Sequence, residues 1–282
     1  MTIEIGTYTF QNEPLCCSQG DSDLVVDETN TLLQVKGITV RFGGITALDN
    51  VSFNLPKDKV CGLIGPNGAG KTTLFNCLSR LYDYQEGDLL FDGRSITQTP
   101  VHEMANTGIG RTFQNLAMFK TMSVQENIMV GAHSKSKTGF WGGMWPTAKT
   151  RAEETDLKKR ADELIDRLKL KDVAHRPVGD LPFGFQKRVE FARALASQPR
   201  LLLLDEPAAG LNHEELSDLA DLIKLVRDEM GISVLLVEHH MHLVMNVSDW
   251  IVALNFGRKI AEGTPEQIQK HPEVIRAYLG GA

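Results

Sequence analysis

Val60-Cys61-Gly62-Leu63-Ile64-Gly65-Pro66-Asn67-Gly68-Ala69-Gly70-Lys71-Thr72-Thr73 is the stretch that decides the fold. A short apolar run enters a glycine-punctuated turn, which ends in Lys-Thr-Thr ahead of Leu74, Phe75 and Leu78 at helical spacing. The pattern reads as strand, loop and helix. Gly65, Gly68 and Gly70 let the backbone curl so that successive N–H groups point inward, with the positive end of the next helix behind them. Such a nest, completed by Pro66, Asn67, Ala69 and Thr73, holds phosphate. Lys71 is then expected to reach the β- and γ-phosphates, and the Thr72 hydroxyl to ligate Mg²⁺. A glycine-rich turn with a chance Lys-Thr is the competing reading, and the apolar strand before it and the amphipathic helix after it argue against that.

The bulk properties bound the rest. A chain of 282 residues, 42% hydrophobic and 23% charged, can bury a full core as one large domain or two lobes. No apolar run approaches the roughly eighteen residues of a membrane helix, and the start MTIEIGTYTF lacks the basic residues of a secretory signal. A membrane role is therefore expected to come through a partner. Cys16, Cys17, Cys61 and Cys77 match neither a zinc spacing nor a disulfide framework, which suits a reducing cytoplasm. The net charge of −6 is a local property: Glu4, Glu13, Asp21, Asp23, Asp27 and Glu28 stand in the first 30 residues without a Lys or Arg, leaving 30 acids against 30 bases beyond. A near-neutral body offers no electrostatic case for nucleic acid. Residues 1–31 read as an acidic, mobile extension and 32–282 as the folded body.

Along that body, Leu33-Gln34-Val35, Ile38-Thr39-Val40 and Val51 to Leu55 alternate as antiparallel strands, with turns at Gly43-Gly44 and Lys57-Asp58. A mostly helical region, about 115–178, follows, with Ala161, Leu164, Ile165 and Leu168 at helical spacing. Inside it a looser insert, Ser134 to Thr150, carries Phe140, Trp141, Met144 and Trp145, which either pack back onto the body or face a partner. Leu201 to Leu204 reads as a buried strand, Glu214 to Glu229 as a helix and Ser233 to Val237 as a second strand, a crossover that implies parallel pairing. The fold class is α/β.

The second strand-end signal is Leu201-Leu202-Leu203-Leu204-Asp205-Glu206. A buried parallel strand delivers Asp205 and Glu206 at its C-terminal edge, where open α/β sheets bind ligands and where the phosphate loop also lies. Asp205 is expected to hold Mg²⁺ through water, and Glu206 to take a proton from the attacking water. Val234 to His239 repeats this geometry, and His239 can donate to a γ-phosphate oxygen. Gln114, in Arg111-Thr112-Phe113-Gln114-Asn115, is an amide able to touch Mg²⁺ or the water.

Together these residues resemble the ATP-binding subunits of ABC transporters, from Leu32 to the C-terminus. Phe42 matches the aromatic that stacks on adenine, with a core Phe as the competing reading. Gly65 to Thr73 matches Walker A, Gln114 the Q-loop, Leu201 to Glu206 Walker B, Ala209 to Asn212 the D-loop and His239 the switch histidine. The resemblance implies a P-loop NTPase fold: a RecA-like core, an antiparallel β subdomain and an inserted α-helical subdomain. It also implies a Mg²⁺-dependent ATPase, ATP sandwiched between two subunits, transmembrane permease partners and an external substrate-binding protein met indirectly. Such a chain lies peripherally on the cytoplasmic face of the inner or plasma membrane.

RTFQN, the insert, EPAAGLN, VEHHM and the tail GRKIAEGTPEQIQKHPEVIRAYLG look most like the ATPases of branched-chain or neutral amino-acid importers. Urea or amide importers and the lipopolysaccharide exporter ATPase share much of that tail. A soluble ABC protein of repair or translation is disfavoured by the single cassette and the lack of heptads, and a GTPase by the lack of Asn-Lys-x-Asp. The signature departs from Leu-Ser-Gly-Gly-Gln: here it is Leu181-Pro182-Phe183-Gly184-Phe185. Pro182 has no hydroxyl for a γ-phosphate, and a hydrogen bond to a charged group contributes about 1.5–3 kcal/mol, roughly ten- to a hundredfold. A heterodimer with unequal sites is the expectation, with a homodimer as the alternative. His240 also replaces the acid that commonly follows the switch histidine.

Overall fold

The computed structural model describes residues 30–112, 118–132 and 148–279. The acidic segment 1–29, Gln114, and Phe140, Trp141, Met144 and Trp145 lie outside the described residues. The structure is built on two sheets. In the first, β1 (Thr31–Phe42) and β2 (Ile45–Pro56) form an antiparallel hairpin across Gly43-Gly44. Thr31 is buried and faces Pro56, so the strand begins one residue before the expected boundary at Leu32. The two alternating triplets are one strand: the register shifts between Val35 and Ile38, where the Gly37 N–H donates to Ser52 Oγ at 2.8 Å. Two strands without a sequence signal of their own, β4 (Glu86–Phe91) and β5 (Arg94–Ser95), extend this sheet in the order β2-β1-β4-β5.

The second sheet carries the site. Its strands are β3 (Val60–Ile64), β6 (Ile109–Arg111), β7 (Leu201–Asp205), β8 (Ser233–Val237), β9 (Trp250–Asn255) and β10 (Arg258–Gly263), in the order β10-β9-β3-β8-β7-β6. All pairs are parallel except the β9–β10 hairpin. Every residue of β3, β7 and β8 is buried, which requires cover on both faces and explains why their apolar runs are continuous. Alternate side chains divide between two cores. Val60, Leu202, Leu204, Val234 and Leu236 enter one, with the helices. Cys61, Leu63, Leu201, Leu203, Leu235 and Val237 enter the other, under the first sheet.

The described helices are α1 (Lys71–Leu78), α2 (Met104–Thr107), α3 (Val124–Ala132), α4 (Ala148–Arg167), α5 (Phe183–Leu195), α6 (His213–Asp228), α7 (Met241–Val247), α8 (Pro265–Lys270) and α9 (Pro272–Leu279). α3 packs against α4 and α5. α6 starts at a capping box in which Asn212 accepts from the Glu215 N–H and Glu215 accepts from the Asn212 N–H. Its apolar stripe, Leu219, Ala220, Ile223 and Val226, turns to the core. Among the described residues, no helix is long and apolar enough to cross a membrane.

Candidate active site

Register places the site. Leu63 of β3 and Asp205 of β7 both pair with Val237 of β8, so three parallel strands end level. Whatever follows those residues emerges at one edge: the glycine loop after β3, Glu206 after β7, and Glu238 and His239 after β8. Parallel order thus assembles segments more than a hundred residues apart.

The loop turns into α1 at Gly70, which has φ +99°, and a Cβ there would lie 2.7 Å from the Ala47 carbonyl oxygen of β2. No larger residue fits that approach. Asn67 and Gly68 are exposed, Ala69 is buried and Pro66 is half-buried. Lys71 is only 8% exposed, and its Nζ donates to the carbonyls of Gly65 at 2.6 Å and Pro66 at 3.0 Å. Burial pushes its pKa down, while the charge of Glu206 pulls it back up. Thr72 is exposed in the first turn of α1 and Thr73 is half-buried after it.

Asp205 is 4% exposed. Burial raises its carboxyl above the usual range and Arg111 opposes the shift, with Glu206 and Glu238 adding to it. Glu206 has φ +47°, a left-handed conformation that costs a non-glycine residue about 1–3 kcal/mol. Two bonds hold it there: its N–H donates to Val237 O at 2.9 Å, and its carbonyl accepts from Ala209 N at 3.1 Å. Asp205 and Thr72 offer carboxylate and hydroxyl oxygens, a donor set that suits Mg²⁺.

Four contributors escape the sequence reading. Arg111 donates to Asp205 Oδ2 at 3.1 Å, to Asn76 Oδ1 of α1 at 3.0 Å and to Oγ of Ser79, the C-cap of α1, at 2.8 Å. Glu238 is fully buried; its Oε1 accepts from Ala208 N at 2.7 Å, and its Oε2 from His239 N and His240 N at 3.0 and 3.2 Å. It pins the histidine turn to the loop after β7. Tyr82 meets Phe42 edge to face, with ring centroids 5.5 Å apart. Phe42 is 47% exposed, which removes the core reading of that residue. The Gly257 N–H at the β9–β10 turn donates to Ala69 O at 3.1 Å and braces the loop from behind.

The imidazoles of His239 and His240 lie 4.7 Å apart, so both reach the same region. Gln114 is outside the described residues; the chain leading to it is held to β7 by Thr112 N–H donating to Leu203 O at 3.0 Å. In the signature, Pro182 sits at the N-cap of α5 with no side-chain bond to the helix, and the Phe183 ring covers Gly210 of the D-loop.

The arrangement has known counterparts. Residues 48–209 match the family described as ABC transporter, and 258–282 match the branched-chain amino acid ATP-binding cassette transporter family. The chain is 45% identical over 251 residues to the high-affinity branched-chain amino acid transport ATP-binding protein BraF of Pseudomonas aeruginosa, covering 89% of this chain and 98% of that one. It is 43% identical over 251 residues, with the same coverage, to LivG of Escherichia coli, which carries the same description. Among solved structures, the ADP conformation of MJ1267, an ATP-binding cassette of an ABC transporter, aligns with a TM-score of 0.77 at 31% identity, covering 89% of this chain and 99% of that one. The chain belongs to the ABC transporter family, as one of its ATP-hydrolysing cassettes.

Proposed function

We propose that this chain energises the import of branched-chain amino acids, binding MgATP between itself and a second ATPase subunit and driving transmembrane permease subunits from the cytoplasmic face of the membrane. The observation that carries the reading is the level ending of β3, β8 and β7, which brings the glycine loop, Glu206 and His239 to one edge. The cargo follows from the relatives' descriptions and from the match of the tail, residues 258–282.

In this reading the Gly65 to Thr73 backbone cradles the phosphates, Lys71 neutralises the β- and γ-oxygens, and Phe42 stacks on adenine. Asp205, Thr72 and Gln114 would hold Mg²⁺, which would neutralise charge on the triphosphate. Glu206 accepts the proton of the attacking water, and His239 donates to the γ-phosphate. Lys71 exchanges its bonds with Gly65 O and Pro66 O for phosphate oxygens.

Pro182 supports a heterodimer. Without a hydroxyl at the start of α5, this chain offers its partner's ATP only the backbone N–H groups near Gly184. Glu206→Gln in the assembled transporter tests the whole reading: ATP binding should persist while hydrolysis and uptake of labelled leucine fall about 10²–10⁴-fold. The chain purified alone should hydrolyse ATP more slowly than the two-subunit complex. Wild-type turnover in the Glu206→Gln complex would discard Glu206 as the base, and full cooperative activity of the lone chain would discard the unequal pair.

A further inference from the structure

Arg111 is joined to more of the site than any of the residues assigned a role above explains. Its guanidinium forks: Nη1 donates to Asn76 Oδ1 and Ser79 Oγ, both near the end of α1, while Nη2 donates to Asp205 Oδ2 at the end of β7. The group lies over the Phe75 ring, also on α1, 5.2 Å from its centroid. Ser79 is itself fixed, its hydroxyl donating to Phe75 O at 2.9 Å. The Arg111 side chain is 14% exposed and Asp205 is 4% exposed, so the ion pair is poorly screened. The Arg111 Nε is buried and meets no acceptor among the described residues, a cost its other bonds must offset.

Three elements therefore meet at one planar cation: the helix that begins with Lys71 and Thr72, the strand that ends in Asp205, and β6, which carries Arg111. We propose that Arg111 is a positioning residue for Mg²⁺: by clamping Oδ2 of Asp205 to α1, it fixes the carboxylate relative to Thr72 and sets the metal requirement of hydrolysis. The inference rests on the assignment of Asp205 and Thr72 as the metal's protein ligands. Lysine cannot replace this arginine, because an ammonium cannot span Asp205, Asn76 and Ser79 in one plane while lying on Phe75.

The test is the Mg²⁺ concentration for half-maximal ATP hydrolysis by the assembled transporter, with binding of a fluorescent ATP in EDTA measured alongside. Loss of an outer partner of a metal ligand typically costs about 10–100-fold. Arg111→Ala should raise the Mg²⁺ requirement by about that factor and leave metal-free nucleotide binding nearly unchanged. Arg111→Lys should fall between the two. An unchanged Mg²⁺ requirement in Arg111→Ala, with only turnover or thermal stability lowered, would make Arg111 structural and overturn the proposal. If Arg111→Ala does not fold, the Asn76→Ala/Ser79→Ala variant keeps the ion pair but frees the fork. It should still raise the Mg²⁺ requirement several-fold, and an unchanged value overturns the proposal equally. Asp205→Asn separates the two levels. If it leaves the Mg²⁺ requirement unmoved, the underlying ligand assignment fails; if it raises it while Arg111→Ala does not, only the role of Arg111 fails.

Discussion

A phenyl ring at a strand end, half exposed and set edge to face with a second ring, is placed where a flat ligand can reach it. Phe42 against Tyr82 has that form. An aromatic contact contributes about 0.5–1.5 kcal/mol beyond buried area, so Phe42→Ala should weaken ATP binding roughly two- to twelvefold. The ring adds little to the core, and the melting temperature should hardly change. Calorimetric ATP titration beside a thermal melt checks both, and a large drop in stability with unchanged affinity would return Phe42 to a packing role. At this scale, what the sequence makes legible is what lies in adjacent positions. Lys71 beside Thr72, and Asp205 beside Glu206, announce themselves because strand, turn and chemistry are contiguous. Arg111 does not, since its partners lie 35 positions before it and 94 after it. Glu238 stands in plain view, but three backbone N–H groups define its role and no sequence pattern records them.

Among elements, the strands buried on both faces are readable from their apolar runs, as is the helix from His213 by its stripe. The strands at the margins are not. β6 spans three residues, too few to show a period, and β4 is only partly buried along its length. Nor is the β9–β10 hairpin, although its turn bears on the site. Gly257 has φ +77°, and a Cβ there would lie 2.6 Å from Ala47 O. Its carbonyl also accepts from Asp49 N at 2.8 Å, so the turn is clamped between β2 and the phosphate loop. Gly257→Ala should destabilise the protein by about 1–3 kcal/mol and weaken ATP binding by loosening Ala69. Denaturant unfolding and ATP titration read the two effects, and wild-type values in both would show that the hairpin does not brace the loop.

For the molecule as a whole, function depends on a sheet order that brings distant segments to one edge. Local patterns supply the segments, and the family resemblance supplies their order in space. The pairing of Leu63 and Asp205 with the same residue, Val237, is the physical reason they meet. In the proposed assembly, completion of the site passes to another subunit, and the N-cap of α5 brings a proline to that interface where a hydroxyl is usual. The most direct measurement is a crystal structure of the Glu206→Gln protein with MgATP. The account expects the new amide at position 206 and a His239 nitrogen within about 3–4 Å of the γ-phosphate or its attacking water, with Lys71 on the β- and γ-oxygens. A terminal phosphate held by the loop but distant from both residue 206 and His239 would contradict it.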